Sequence, residues 1–450
     1  MVSADNLNFD VLTQIFAYLY GNDLVSVSLV SRSFLTSVTP KLYQTLVFCQ
    51  SQAKRYPRIF SPFTTILARP ELATHVRTCD ISAIANYKGR PHQQFMSECI
   101  TALEKCQNLS RFYCTLNVLP SFLLVLTKKS RLEDIRVRAS LEISQSKLLV
   151  EMKGLQSVAL DSPSWSLMNL LPDWLGSMSP SLTHLTITRS NEISETILGP
   201  VLRRLPSLLG LQIISCPKVE HFKVLELVRH TPRLQNLAFT TWESPETSTC
   251  TYADLCHLQS LTMETRNHVS PDSVTALWSG IISTTSRSGA PLASLTLKTT
   301  RKSLIAHSLV QEIIKAHSAT LQQLRLINCS IGNELLKDLA QKCDKLGKLC
   351  VAIPLHDIKQ FARSISESMS LHTLVDVPEP HGSHAPGRSL REDDVRELMY
   401  WSPKLRRIIS DNRSWEGNKL STGALQITLE RFRLAAMKSE FMITTDPAFD

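Results

Sequence analysis

The sequence predicts an α/β protein: a repeat solenoid, horseshoe-shaped, with parallel strands on its concave face, preceded by three short helices. Three observations predict this. The stretch Leu321–Leu346 changes from one apolar period to another within one unit. The same layout then returns along most of the chain. The first fifty residues instead carry only helical spacing.

In Leu321–Leu346, apolar residues stand at Leu321, Leu324 and Leu326, followed by Cys329 and Ile331. Alternation at Leu324–Leu326 suits a strand, and the later stripe Leu335, Leu336, Leu339, Ala340 suits one face of a helix. Cys343 closes the unit and Leu346, Leu349, Val351 begin the next. A single strand–helix unit cannot bury its apolar side alone, so neighbours must stack beside it. Leading leucines recur at Leu109, Leu132, Leu155, Leu182, Leu208, Leu234, Leu258, Leu292, Leu321, Leu346, Leu371 and Leu405, mostly 23 to 29 residues apart. Leu208–Cys216 repeats the Leu321–Cys329 layout. With both cysteines in place, the unit resembles the cysteine-containing class of leucine-rich repeat.

Two longer separations mark insertions, near residues 265–291 and 378–390. The first predicts a helix at Val274–Ile282 with a flexible Ser/Gly tail; the second, rich in Pro and Gly, predicts a loop. A helix is expected at Ala424–Met437. The expected divisions are a helical module at 1–48, a linker at 49–70, the solenoid at 71–420 and a C-terminal helix and tail at 421–450.

The chain has 450 residues, 43% of them hydrophobic, and a formal charge of +9. That is enough apolar material for a large core, and a solenoid avoids the size limit of a single globule. The positive charge has no long Lys/Arg run. Its densest groups, Lys128–Arg131 and Arg203–Arg204, fall where helices should end and where the helix dipole favours cations. They read as solvated surface, which argues against a nucleic-acid partner. Eleven cysteines without a C-x-x-C pair suit a reducing compartment, cytoplasmic or nuclear. No signal peptide or membrane-spanning stretch is visible, so no membrane association is expected.

At the N-terminus, Leu7, Val11, Leu12, Ile15, Phe16 and Leu19 form a helical stripe. Gly21-Asn22-Asp23 breaks it, Leu24, Val27, Leu29 and Val30 follow, and Phe34, Val38, Leu42 and Tyr43 complete a third segment. Three short helices bury too little to stand alone, so the module should lean on the next domain, on a partner, or on both. The run LNFDVLTQIFAYLYGNDLVSVSLVSRSFLTSVTPKLY resembles an F-box, matching it at Leu7, Asp10–Leu12, Ile15, Phe16, Leu19, Asp23, Leu24, Leu29, Val30, Arg32, Phe34, Leu42 and Tyr43. Asn8 stands where that family usually has proline. The junction with the repeats is similar to that of fungal F-box proteins.

The resemblance implies docking to the Skp adaptor and, through it, to a cullin–RING ubiquitin ligase. Apolar side chains would enter a groove of the adaptor, the mode of helix-in-groove recognition. Leu7, Val11, Leu12, Ile15, Leu19, Leu24 and Val30 are the candidate adaptor contacts, and some of them must instead face the module's own core.

Catalytic chemistry has no nominee. The sequence lacks a phosphate-binding loop, a nucleophile elbow and an H-E-x-x-H helix. Cys216, Cys329 and Cys343 hold repeat positions and read as small buried hydrophobes. Cys250, Cys256 and His257 lack a second ligand pair, and His381 with His384 lie in a loop that cannot fix both rings. No enzyme activity, metal or cofactor is expected.

Recognition of a protein target remains. The residues between strand leucines should face the concave side: Asp134, Arg136, Arg138 in one unit and His184, Thr186, Thr188 in another. Lys298, Arg325 and Lys348, from three successive units, are expected to align as a basic patch for an acidic or phosphorylated segment. Trp165, Trp242 and Trp415 are expected on one rim, just past their strands. The competing readings are a scaffold that does not direct ubiquitination and a basic repeat protein binding nucleic acid or phosphoinositide.

Overall fold

The computed structural model describes residues 8–19, 21–87, 89–242, 254–266, 271–377, 390–411, 413–419 and 425–431. It divides into two units, Met1–Glu192 and Ile193–Asp450.

The first unit opens with α1 (Phe9–Phe16), α2 (Asn22–Ser28) and α3 (Arg32–Leu42). Gly21, at φ 55°, lets the chain reverse into α2 in a region that side chains with a Cβ avoid. Ser31 caps α3 by accepting from the Phe34 N–H at 3.3 Å. Asn8 occupies the N-cap of α1, but its side chain makes no capping bond. Leu12, Phe16, Leu24 and Val38 form the small core, with Leu19, Val27, Phe34 and Leu42 packed against it. Phe16 and Phe34 meet edge-to-face, with ring centroids 5.1 Å apart.

Strand–helix repeats follow: β1 (Thr45–Phe48), α4 (Gln50–Ala53), α5 (Pro62–Ala68), β2 (Thr78–Ile81), the small hairpin β3 (Asn86–Tyr87) and β4 (Arg90–Pro91), and α6 (Gln93–Lys105). Then come β5 (Arg111–Cys114), α7 (Leu123–Leu126), β6 (Asp134–Arg138), α8 (Ile143–Leu149), β7 (Ser157–Asp161), α9 (Trp165–Ser177) and β8 (His184–Thr188). Apart from β3 and β4 the strands pair in parallel, in sequence order. Leu46, Cys79, Phe112, Ile135, Val158 and Leu185 stand level with one another. All six are buried and form a ladder under the sheet.

The second unit repeats the design: α10 (Glu195–Arg203), β9 (Gly210–Ile214), α11 (His221–Leu227), β10 (Asn236–Trp242), β11 (Ser260–Arg266), α12 (Pro271–Arg287), β12 (Ser294–Leu304), α13 (His307–His317) and β13 (Gln323–Ser330). It continues with α14 (Asn333–Lys342), β14 (Lys348–Val351), α15 (Ile358–Ile365), β15 (Thr373–Asp376), α16 (Glu392–Trp401) and β16 (Arg407–Ser410). Leu211, Leu237, Leu261, Leu295, Leu324, Leu349, Leu374 and Ile408 form its ladder. Long parallel runs with helical returns, one ladder per unit, are the architecture of a leucine-rich-repeat solenoid.

A turn recurs that the apolar pattern does not announce. Ser162, Arg189, Ser215 and Asn328 each stand sixth from the start of their strand, with φ between 47° and 59°. In the first three this left-handed residue follows the last residue of its strand, while β13 runs on past Asn328 to Ser330. The next residue in three of these units (Ser190, Cys216, Cys329) then points inward and is buried. The side chain of Asn328 steadies the turn by donating to the Thr299 carbonyl at 2.7 Å.

Two expectations are corrected. The tail of the first insertion is helical through Arg287, because its threonines find partners. Thr285 lies within hydrogen-bond reach of His317 Nε2 at 2.9 Å, and its hydroxyl donates to the Ile282 carbonyl. At the C-terminus the expected helix is, over its described part, the strand β18 (Leu425–Arg431), paired antiparallel with β17 (Arg413–Lys419), which itself pairs antiparallel with β16. Leu425, Ile427 and Leu429 alternate as well as they fit a helix, and a ready sheet edge decides between the two periods. The loop expected at 378–390 lies outside the described residues apart from Leu390.

Burial has a consequence for acid stability. His317 and His221 are both buried, and burial pushes each imidazole down to about 4. Between the ordinary value near 6.5 and about 4, the unfolded chain binds protons that the native chain refuses. Stability is therefore unaffected by these groups above pH 6.5 and falls as pH drops through that window. The expected loss is about 3 kcal/mol per histidine by pH 4. Urea unfolding of His317→Gln, whose amide can still reach Thr285, should show a shallower loss between pH 6.5 and pH 4 than wild type.

Candidate docking surfaces

Helix α1 carries two apolar stripes side by side. Leu12, Phe16 and Leu19 point into the three-helix core. Val11 and Ile15, one helical position back, are 41% and 48% exposed, and Tyr18 continues their line in the turn after α1. The inner stripe alone suffices to attach the helix. The outer one leaves apolar surface in water, which a monomer gains nothing from exposing. A second exposed apolar group, Val25, Leu29 and Val30, comes from α2 and the turn after it.

The structure sorts the candidate adaptor contacts. Val11, Ile15 and Val30 face solvent. Leu12 and Leu24 are core residues, and Leu19 packs against the same core, so these three hold the module together rather than presenting it. Leu7 lies outside the described residues. Sequence reasoning passed over Tyr18 and Val25, and also Phe9 and Leu35. Phe9, Val25 and Leu35 line a groove of about 850 Å³ between the helices and the 3-10 turn Pro70–His75, together with Leu42, Tyr43 and Leu72. The module thus does lean on the following repeats. The signal for Tyr18 was available: it extends the Val11–Ile15 spacing.

On the sheet, the side chains between ladder residues form the opposite face. Lys298, Arg325 and Lys348 share that face but do not stand in one row. Lys298 is level with Ile327, Arg325 with Thr296 and Cys350, and Lys348 with Gln323. Each is displaced by one pleat from the next, because β12–β14 start their pairing at Ser294, Gln323 and Lys348. Nor is the charge open. Lys298 Nζ lies 2.9 Å from the buried Glu264 carboxylate, which also takes Arg266 at 3.2 Å and a bond from the Thr240 hydroxyl at 3.3 Å. Burial alone would push Glu264 up, but the ammonium and guanidinium outweigh it and hold the carboxyl below its usual range. Lys348 is buried, and Arg325 is half-buried and level with Cys350. The expected basic patch is largely internal.

In the first unit this face is more open. Asp80, Tyr113, Arg136, Ala159 and Thr186 stand level across five strands. The Tyr113 hydroxyl donates to Asp134 at 2.6 Å, and the Arg136 guanidinium lies over the Tyr113 ring at 5.1 Å. Burial raises Asp80, against the opposing pull of Arg136. Burial lowers His184, against Asp134. In the next row Arg138 is exposed, Asp161 fully buried and Thr188 buried. Arg189 Nε reaches back to donate to Asp161 at 2.7 Å, and Thr188 donates to it at 3.0 Å.

The three tryptophans differ in exposure. Trp165 opens α9 and is 62% exposed. Trp242 is the last residue of β10, level with Arg266, and half-buried. Trp415 is buried in β17, level with Leu429 across the hairpin, where it cannot anchor a partner. Lys129, taken with the solvated cations, is instead buried and donates to the Glu104 carbonyl at 3.1 Å.

Burial raises Cys329 and Cys343 to about 11, far from a reactive thiolate, and Cys216 is buried with them. The ten described cysteines are all free. Among the described residues no cluster of His, Cys, Asp and Glu could hold a metal ion, and no helix is long and apolar enough to cross a membrane. His381, His384 and Cys250 lie outside the described residues.

No family model matches the sequence, and no curated protein matches it. Two of the solved structures that resemble the chain are each 14% identical to it. A yeast Rad7–Elc1 complex aligns over 90% of this chain and 91% of the other with a TM-score of 0.45. A leucine-rich-repeat protein of Leptospira interrogans aligns over 77% and 98% with a TM-score of 0.27.

Proposed function

We propose that the chain is the substrate-recognition subunit of a Skp–cullin–F-box ubiquitin ligase, with no catalytic step of its own. The observation that carries this reading is the outer stripe of α1. Val11, Ile15 and Tyr18 are held out by a helix whose other apolar stripe already satisfies the core, within a segment that resembles an F-box residue by residue. The adaptor would cover that stripe. The repeats would hold a protein target beside the ubiquitin-charged enzyme, turning a bimolecular encounter into an effectively intramolecular one. Such a subunit works in the cytoplasm or nucleus, where the ligase operates.

The test compares the full chain with a form lacking residues 1–48. Proximity labelling should mark the same target in both forms, and that target should accumulate only when the truncated form replaces the full one. A target captured equally by both, with unchanged half-life, favours a scaffold that does not direct ubiquitination.

A further inference from the structure

The first unit holds one bulky apolar residue outward on a rigid mount. Ser164 and Ser166, on either side of Trp165, are both tied to the preceding repeat. The Ser164 N–H donates to the Ala139 carbonyl at 3.0 Å, and its hydroxyl accepts from the Leu141 N–H at 3.3 Å. The Ser166 hydroxyl donates to the Leu141 carbonyl at 3.0 Å and lies 2.9 Å from that of Ser146. The clamp fixes the backbone of Trp165 against α8, while its indole makes no hydrogen bond or ring contact with any described residue. Ile143, at the start of α8, is 65% exposed on the neighbouring repeat. Leu141, two residues before it, is the residue bonded to both Ser164 and Ser166, so the backbones that carry Ile143 and Trp165 are tied to each other.

Charge beside this pair is unbalanced. Arg138 ends β6, exposed, and forms no ion pair with any described residue. The carboxylate level with it, Asp161, is fully buried and already held by Arg189 and Thr188. Glu142 is the other acid close by, at the N-cap of α8, and no ion pair joins it to Arg138.

We infer that Arg138, Ile143 and Trp165 form a target-reading spot for an extended protein segment that carries a carboxylate beside a bulky apolar side chain. This rests on the receptor reading above. The indole and Ile143 take the apolar group, and Arg138 takes the carboxylate. A preorganised aromatic anchor binds without first losing freedom, which is where affinity concentrates in interfaces.

The experiment presents a phage-displayed random peptide library to the immobilised full chain. Selected peptides are then resynthesised and titrated by fluorescence polarisation. They should share an Asp or Glu within two positions of Leu, Ile, Phe or Trp. Trp165→Ser and Arg138→Glu should each weaken them at least about tenfold. Lys147→Glu, the same charge change at an exposed position of α8, should leave affinity within about twofold. All three variants should melt like wild type, since each side chain is exposed. Peptides without the acid–apolar pairing, or equal loss from Lys147→Glu and Arg138→Glu, would overturn the assignment. Capture of a Skp adaptor is measured on the same preparations. Adaptor capture with no selected peptide sinks the spot and leaves the receptor reading standing, and the reverse result sinks the receptor reading alone.

Discussion

Val11→Asp with Ile15→Asp is expected to weaken capture of a Skp-family adaptor by about a hundredfold or more, with no change in fold. Burying a Val or Ile side chain is worth about 1.5–3 kcal/mol, and a carboxylate in its place would have to enter the interface without its water. The two positions cost the free protein little, because both side chains are nearly half-exposed and neither belongs to the three-helix core. Melting should therefore stay within about 2 °C of wild type. Leu12→Asp behaves differently. Leu12 is one of four buried residues in the three-helix core, so this change should unfold the module and remove adaptor binding only indirectly. Circular dichroism beside an adaptor pull-down separates the two. If Val11→Asp/Ile15→Asp binds as well as wild type, the outer stripe is not the docking surface.

Arg189→Gln is expected to destabilise the first unit by about 3 kcal/mol. Asp161 has no exposed surface, and Arg189 supplies its neutralising charge through Nε and Nη2. Without the guanidinium, a buried carboxylate keeps the Thr188 hydroxyl at 3.0 Å and the Ser162 hydroxyl at 3.5 Å but no opposite charge, and an uncompensated buried charge is among the most damaging single defects. The arginine itself is nearly half-exposed, which places the expectation at the lower end of the range for buried pairs. The reverse change, Asp161→Asn, should cost less, since the amide can still accept from Thr188 and the freed guanidinium returns to water. Urea unfolding of both single variants and of Arg189→Gln/Asp161→Asn reads the difference. Recovery of most of the loss in the double variant confirms the buried charge as its cause. No recovery would move the cause to the left-handed backbone at residue 189.

Much of the architecture was legible because it rests on periodicity. The leucines at 321, 324, 346 and 349 were enough to expect the ladder, since a period of two followed by one of three to four admits few folds. What escaped was set by pairing between strands. Lys298, Arg325 and Lys348 looked alike in sequence, but register places them on a diagonal, and Glu264 turns one of them into an internal ion pair. No count along the chain shows that a carboxylate on the adjacent strand will face a lysine 34 residues later. Trp415 escaped for the same reason, since the hairpin that buries it forms only once β16 offers an edge. On α1 the spacing nominated Leu12 and Ile15 together. Only the packing of α2 and α3 decided that Leu12 turns in and Ile15 out.

The proposed join between the N-terminal helices and a ubiquitin ligase runs through the adaptor. The direct measurement is size-exclusion chromatography of the full chain mixed with a Skp adaptor and a cullin. All three should co-elute, and Val11→Asp/Ile15→Asp should leave the full chain eluting alone. A full chain that elutes apart from the adaptor, or that carries the adaptor but never the cullin, would contradict it.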